Sequence, residues 1–311
     1  MPLPQPLAGR LSLPTIVAPM FLVSGPDLVV ETCKAGLVGT FPTLNQRSPE
    51  GYGEWLAEIK ERNGNDAAPF GVNLIVHRTN SRLQDDLAVT VKHRVPLVIT
   101  SLGAVQEVVD AVHSYGGLVF HDVINLRHAA NAARSGVDGI IAVSAGAGGH
   151  AGLINPFAFL HELRAMFDGT LVLSGAMSTG AHIAAARAAG ADLAYLGTRF
   201  IATRESMASD DYKQMVLSAQ AKDIVYTDAI SGVKGNFLKP SLAAAGLDPE
   251  DLPPFAAEMK LGEGKRRRWV NIWSAGHGVG AVRDIPTTAE LCARLQAEYR
   301  ASIRSLAAEI A

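Results

Sequence analysis

Eight short apolar runs, separated by Ala-rich stretches of helical length, constrain the fold of this chain more than any other feature of its sequence. Each run is mostly apolar and does not alternate with polar residues, which is typical of parallel strands buried on both faces. Eight strand–helix units are the content of a closed (β/α)8 TIM barrel, an α/β fold that we predict here, with an open doubly wound sheet as the alternative. The predicted strands are Thr15–Pro19, Val38–Pro42, Phe70–Ile75, Leu97–Ser101, Leu118–Val123, Gly139–Ser144, Thr170–Gly175 and Leu193–Thr198.

The last third of the chain departs from this alternation. The 311 residues exceed the roughly 250 residues that a barrel alone commonly takes. After the eighth strand, a predicted helix over Arg204–Ala221 is followed by a stretch rich in glycine and proline. We therefore predict a barrel formed by residues 1–204 and 266–311. A small helical and loop insertion domain, residues 205–265, precedes the last barrel helix, Thr287–Ile310.

Composition excludes several classes of protein. The formal net charge is −2, whereas nucleic-acid binders usually carry a basic excess, so the Arg266–Arg268 run is interpreted as a solvated face or a partner for acidic groups. The two cysteines, Cys33 and Cys292, are too few for a disulfide framework or a metal-ligand cluster. No apolar run reaches the ~18–20 residues of a membrane span, and Met1–Pro14 lacks the apolar segment of a signal peptide. We expect a soluble, cytoplasmic protein that binds neither nucleic acid nor membrane.

Glycines cluster where the predicted strands end. In a barrel the active site lies at the carboxyl ends of the strands, in the loops that lead to the helices. Gly175 and Gly197 lie at the ends of the seventh and eighth strands, and a helix follows each of them. Bare backbone N–H groups at these positions are typical of a barrel phosphate site, which needs no lysine. We predict phosphate binding there, with the relief of crowding at two tight turns as the alternative.

One histidine lies in an unusually bare loop. His150 follows the sixth strand within Gly146–Gly152, whose four glycines leave the imidazole little steric cover. Such an imidazole is accessible to a substrate and titrates near neutral pH; an ordinary loop histidine is the alternative. For His121, at the end of the fifth strand, two roles are equally favoured: a residue of the site, or packing in the barrel wall. The sequence contains no metal-ligand cluster, no Gly-x-Ser-x-Gly elbow and no Walker loop.

At these same strand ends the sequence resembles the nitronate monooxygenase family, formerly called the 2-nitropropane dioxygenases. The resemblance runs from about residue 14 to residue 282, and the order and spacing of its segments make it specific. The matching segments are Ala18–Met20, Ala35–Gly39, Pro69–Leu74, Gly148–Gly152, Ser174–Ala176, Gly190–Asp192, Leu196–Thr203 and Trp273–Gly276.

The resemblance implies an FMN-containing barrel, with the isoalloxazine ring against the backbone around Pro19 and Met20 and the phosphate at the glycine-rich turns. It also implies that His150 stands at the position of the family's catalytic base. His121 and Ser274 are the candidate substrate-lining residues. The residues that the resemblance implies for flavin binding are Ala18, Pro19, Met20, Asn73, Gly148, Gly149, Gly175, Ala176, Leu196, Gly197 and Thr198.

The activity that the resemblance implies is the oxidation of alkyl nitronates, and of nitroalkanes, by dioxygen to carbonyl compounds and nitrite. A neutral imidazole at His150 accepts the proton of a nitroalkane carbon, whereas a preformed nitronate needs no base. The flavin supplies the redox chemistry. The expected partners are a small-molecule substrate, a nitronate or a quinone, and dioxygen. NAD(P)H and a second copy of the chain are further candidates.

Three positions depart from the family pattern and keep other activities open. Ala176 replaces a frequent glycine, and Val143 stands where many members carry Gln. Asp122 stands where the NADH:quinone reductases on this scaffold carry Lys. The resemblance therefore supports flavin binding more strongly than it supports any one substrate. The alternatives are an NAD(P)H:quinone reductase and a non-catalytic flavin-binding barrel, and flavin-dependent enoyl reductases are further relatives.

Overall fold

Eight parallel strands close into a barrel in the computed structural model, which describes residues 3–77, 79–103, 106–255 and 271–309. The ring closes where the last barrel strand pairs with the first, with Thr15 opposite Ala194 and Val17 opposite Leu196. The predicted (β/α)8 barrel is confirmed, and the open doubly wound sheet is excluded. With all strands of the chain numbered in order, the barrel strands are β1 (Thr15–Val17), β2 (Val38–Pro42), β3 (Gly71–Ile75), β4 (Leu97–Ser101), β5 (Leu118–Val123), β6 (Gly139–Val143), β8 (Thr170–Ser174) and β9 (Leu193–Leu196).

Helices connect the strands and begin at recognisable sequence signals. Pro26 and Pro49 occupy first-turn positions, where proline's missing N–H costs nothing. The last helix opens with a capping box between Thr287 and Glu290. The helices are α1 (Pro26–Lys34), α2 (Pro49–Asn63), α3 (Leu83–Lys92), α4 (Gln106–His113), α5 (Leu126–Arg134), α6 (Pro156–Arg164), α7 (Gly180–Ala188), α8 (Thr198–Ile201), α9 (Asp210–Ser218), α10 (Lys239–Ala244) and α11 (Thr288–Ala308).

Apolar side chains fill the inside of the barrel at the ends where the strands begin. Alternation along a strand turns Leu97, Phe120 and Val172 inward, and all three are fully buried in one cluster. Leu7 of the N-terminal segment belongs to the same cluster as Leu193, at the start of β9, so it closes this end of the barrel. The opposite end, where the strands finish, is therefore the end that is left for a site.

The segment after α8 contains two strands that were not predicted from the sequence. The predicted helix Arg204–Ala221 is shorter, because Ser209 caps its start and Ala219 is already extended. Next come β10 (Ile224–Thr227) and β11 (Gly235–Leu238), which form an antiparallel pair. The segment is therefore not only helical and looped, although its division from the barrel as a domain stays a prediction.

The two new strands reach the barrel's own loops. β11 also pairs with β7 (Gly149–His150), a two-residue strand in the loop after β6. The Arg266–Arg268 run, the boundary predicted at residues 265 and 266, and Ile310 of the predicted last helix lie outside the described residues. None of the helices in the described ranges is long and apolar enough to cross a membrane.

Candidate active site

A cavity of about 820 Å³ lies at the carboxyl ends of the barrel strands. Leu196 does not line it: its side chain is fully buried among outward-facing residues, and its carbonyl accepts a hydrogen bond from the N–H of Ala18 at 2.9 Å. The structure brings the other predicted site residues together around one space whose size is ordinary for a cofactor and a small ligand. These lining residues are Ala18, Pro19, Met20, Asn73, His121, Gly148, Gly149, His150, Gly175, Ala176, Gly197, Thr198 and Ser274.

The backbone after β1 forms a fixed part of the cavity wall. The Met20 N–H donates to the Ser24 hydroxyl at 3.0 Å, and the Met20 carbonyl accepts from the Asn45 side-chain amide at 3.1 Å. With the Ala18 N–H held by the neighbouring strand end, the turn through Pro19 is bonded on both sides. A rigid main-chain surface of this kind suits a flat ring that must be held in one orientation.

The glycine-rich loop after β6 packs backbone against backbone. A Cβ at Gly148 would lie 2.9 Å from the nitrogen of Gly276, a segment that approaches from near the C-terminus. Gly149 has a φ of +70°, in the left-handed region that favours glycine. At these two positions the glycine is therefore required by close approach and by conformation, and the predicted bare backbone beside His150 is present.

The two turns predicted to hold a phosphate differ in the groups that they offer. Gly175 has a φ of +141° and Ala176 a φ of +53°, so alanine does adopt the left-handed conformation here. The Ala176 N–H donates to the Gly146 carbonyl at 3.1 Å, however, and so is already used inside the protein. Thr198 Oγ1 accepts from the Gly276 N–H at 2.8 Å, which leaves its own hydroxyl proton to donate.

One buried polar atom in the wall lacks a partner. Within the described ranges, the hydroxyl of Ser274 is buried and has no hydrogen-bond partner. Its neighbours are held firmly, because the Tyr212 hydroxyl donates to the Ser274 carbonyl at 2.5 Å and the Tyr212 ring stacks on Trp273 at 4.9 Å. Ser274 lines the cavity, and a buried hydroxyl without a partner is stabilised by a polar ligand atom, so this wall fits a ligand with hydrogen-bonding groups.

Polar side chains that point into the barrel form the floor of the cavity. The Asn73 amide donates to the Ser101 hydroxyl at 2.7 Å, and the Ser101 hydroxyl donates to the Asp122 carboxylate at 2.5 Å. Burial raises the pKa of Asp122 to about 6, against the lowering effect of the Ser101 hydrogen bond. Burial, with the nearby Asp122 charge, also raises the pKa of Tyr195. Ser101 and Tyr195 were missed from the sequence, although the inward alternation along β4 and β9 is the signal that identifies them.

His150 and His121 are placed differently in the cavity. His150 is exposed on β7, and its Nε2 lies 3.1 Å from the Ser231 hydroxyl. Partial removal from water lowers the pKa of His150. His121 is buried with Nδ1 2.8 Å from the Thr100 hydroxyl, and burial lowers its pKa to about 4. Both rings are therefore neutral at neutral pH, and His150 is the one that an incoming ligand can reach.

The described residues around this site offer neither a metal-ligand cluster nor a reactive thiol. No group of three or more His, Cys, Asp or Glu side chains that could hold a metal occurs in the part of the chain that the structure describes. Cys33 and Cys292 are both buried, and burial raises the pKa of each thiol to about 12. Neither sulfur is a nucleophile at neutral pH.

Comparisons with known proteins agree with this geometry. The family model for nitronate monooxygenase matches residues 78–298. A nitronate monooxygenase of Paraburkholderia phytofirmans is 30% identical over 97% of this chain and 96% of its own length. A (3aS,4S,5R,7aS)-5-hydroxy-7a-methyl-1-oxo-octahydro-1H-indene-4-carboxyl-CoA dehydrogenase of Rhodococcus jostii is 27% identical over 74% of this chain and 63% of its own length.

A solved structure supports the fold independently. The nitroalkane oxidase of Streptomyces ansochromogenes superposes with a TM-score of 0.82, at 24% identity, over 95% of this chain and 98% of its own. With the family model covering well over half of the sequence, the chain belongs to the nitronate monooxygenase family and is an oxidoreductase.

Proposed function

We propose that this enzyme is an FMN-dependent nitronate monooxygenase in which His150 is the catalytic base. The observation that carries the proposal is the exposed, neutral imidazole of His150 in a cavity whose walls are bare backbone. The family supports the oxidation of nitronates by dioxygen to carbonyl compounds and nitrite. The cofactor identity and the role of His150 are the parts that we add.

The residues of the cavity fit FMN. The bonded backbone from Ala18 to Met20 offers a flat surface for the ring, and the unpartnered Ser274 hydroxyl offers a polar contact. Gly175, Gly197 and the Thr198 hydroxyl would hold the phosphate through main-chain and hydroxyl donors. When bound, the flavin supplies the electron transfer to dioxygen that no side chain of this site can provide.

The role that we propose for His150 is to remove a proton from a nitroalkane substrate. A nitroalkane must lose a proton from the carbon that bears the nitro group before it can be oxidised as a nitronate. A neutral imidazole accepts this proton, and the resulting imidazolium stabilises the anion that forms beside it. A preformed nitronate enters as an anion and needs no base, so the residue matters for nitroalkanes and much less for nitronates.

The buried carboxyl of Asp122 is relevant to the alternative activity. NAD(P)H-dependent quinone reduction is a second candidate function, because the relatives of this chain include a dehydrogenase. Among the residues that the structure describes, the hydrogen-bond chain of Asp122 runs through Ser101 to Asn73 and contains no cation. An ionised carboxylate on the floor repels a nitronate as well as an anionic dinucleotide, so Asp122 does not separate the two activities. We favour the nitronate reaction because the family model and the relative that covers almost the whole chain are nitronate monooxygenases.

The experiment that tests the proposal uses the purified enzyme with its flavin, identified by its visible absorption spectrum and by chromatography of the released cofactor. We expect oxygen consumption and stoichiometric nitrite release with propionate 3-nitronate and with nitroethane. A flavin other than FMN, or no turnover of either substrate, would contradict the proposal. Rapid anaerobic bleaching of the flavin by NADH or NADPH would identify the quinone reductase instead.

A further inference from the structure

The hairpin β10–β11 holds the loop that carries the proposed base. β11 pairs with β7, so that Asn236 lies opposite Gly149. The buried Asn236 side chain donates to the Ala147 carbonyl at 2.7 Å, and the Tyr226 hydroxyl donates to the Ala151 carbonyl at 2.8 Å. The loop is therefore bonded to the hairpin on both sides of His150, and the position of the ring depends on a segment far away in the sequence.

The turn of this hairpin contacts the imidazole itself. Ser231, between β10 and β11, places its hydroxyl 3.1 Å from His150 Nε2. The same hydroxyl donates to the Val233 carbonyl at 2.9 Å. A serine hydroxyl has a single proton and a carbonyl can only accept, so both contacts are hydrogen bonds at once only if the hydroxyl donates to Val233 and accepts from the imidazole. Nε2 must then carry a hydrogen atom.

The position of this hydrogen atom decides which nitrogen is basic. A neutral imidazole has one N–H and one nitrogen that accepts a proton. With the hydrogen on Nε2, Nδ1 is the basic nitrogen of His150. In catalytic triads a third group orients the ring of the base and selects its tautomer. Loss of that group can reduce turnover strongly.

We propose that Ser231 is a positioning residue, which orients the ring of His150 and selects its Nε2–H tautomer, the form in which Nδ1 is the basic nitrogen. Ser231 acts through His150, because it does not itself line the cavity. The inference rests on the proposed function of His150 as a base.

Nitrogen-15 NMR of the flavin-loaded enzyme tests the tautomer directly. The signals of His150 are identified by their loss in His150→Asn, and we expect the pattern of the Nε2–H tautomer in the wild type. Ser231→Ala should shift the signals towards a mixture of tautomers, and Ser231→Thr, which keeps the hydroxyl, should restore the wild-type pattern. Ser218→Ala is a matched control, because the Ser218 hydroxyl bonds only to carbonyls of its own helix. A wild-type ring with its hydrogen on Nδ1, or an unchanged pattern in Ser231→Ala, would overturn the inference.

Kinetics provide the second readout. Loss of one hydrogen bond to the base should lower kcat for nitroethane about tenfold with little change in KM, while turnover of preformed ethylnitronate and the flavin content stay unchanged. Equal losses for both substrates would indicate general damage and contradict a positioning role. If His150→Asn left nitroethane turnover intact, the proposed base would be wrong, whereas the tautomer measured by NMR would still decide the role of Ser231.

Discussion

At the scale of single residues, burial separates side chains that look alike in the sequence. His121 lies on β5 and His150 lies in the loop after β6, and His121 is bonded in the wall while His150 is exposed to the cavity. The glycines around His150 indicated this difference, because a bare loop leaves a ring accessible. The contact with Ser231 could not be predicted, since the two residues are 81 positions apart and no local pattern links them.

The first residue-scale prediction concerns pH. The surroundings of His150 lower its pKa below the ordinary value of 6.5, so that the neutral form persists into mildly acidic solution. We expect kcat/KM for nitroethane to be constant near pH 7 and to fall as the pH drops through this lowered pKa. Preformed ethylnitronate should not show this fall. A break attributable to His150 above pH 7 would contradict the placement of the ring.

The second residue-scale prediction concerns Asp122. Its folded-state pKa is raised from 3.8 to about 6, so its contribution to stability is full below the unfolded pKa and is lost as the pH rises through the folded value. Asp122→Asn, which keeps the shape without the charge, should therefore be more stable than the wild type at pH 8, by about 1–3 kcal/mol. Denaturant unfolding at pH 5 and pH 8 measures this; a less stable variant at pH 8 would show that the carboxylate is compensated.

At the scale of elements, the sequence predicted best where one pattern determined the structure. β2, β4 and β5 begin and end where their apolar runs do, because strands buried on both faces have no competing polar alternation. β10 and β11 were missed because each is only four residues long. Their pairing also depends on β7, which comes from another part of the chain. The floor of the cavity could be predicted only in part. Which side chains point inward follows from the alternation along each strand, but which hydrogen bonds these side chains form does not.

The contact between α7 and α11 provides the element-scale prediction. A Cβ at Gly180 would lie 2.2 Å from the Leu295 carbonyl oxygen and 2.4 Å from the Tyr299 nitrogen, which are main-chain atoms of α11. Gly180→Ala should therefore push the helices apart and cost about 1–3 kcal/mol of the free energy of unfolding. Urea or guanidinium unfolding gives the value.

A matched control is available within α2. A Cβ at Gly53 would meet its nearest atoms at an ordinary 3.6 Å, so Gly53→Ala should leave stability unchanged or raise it by about 0.5–1 kcal/mol through helix propensity. Equal destabilisation of both variants would contradict the idea that the close approach at Gly180 is specific.

At the scale of the whole molecule, one ion-pair network joins the end of the chain to the site. Arg199, at the start of α8, is buried and bonds to the Asp284 carboxylate at 2.6 Å. Arg294 of α11 bonds to the other oxygen of the same carboxylate at 2.7 Å. The last helix is thus anchored beside the turn that is predicted to hold a phosphate. The division of residues 205–265 into a separate domain stays a prediction.

The molecule-scale prediction follows from this network. Asp284→Asn removes the carboxylate that is bonded to the buried guanidinium of Arg199, and we expect a loss of about 2–4 kcal/mol in the free energy of unfolding. Arg294→Gln removes only the exposed partner and should cost less than about 1 kcal/mol. Thermal unfolding of the two variants side by side measures the difference. A larger loss for Arg294→Gln would contradict the assignment of Arg199 as the buried member.

The central claim is that His150 removes the substrate's proton in a cavity built for a flavin. Its most direct test is the ratio of kcat/KM for nitroethane to kcat/KM for ethylnitronate, measured in the wild type and in His150→Asn at matched flavin content. We predict that the substitution lowers this ratio by about 10²–10⁴, because only the nitroalkane needs a base. An unchanged ratio would show that His150 is not the base.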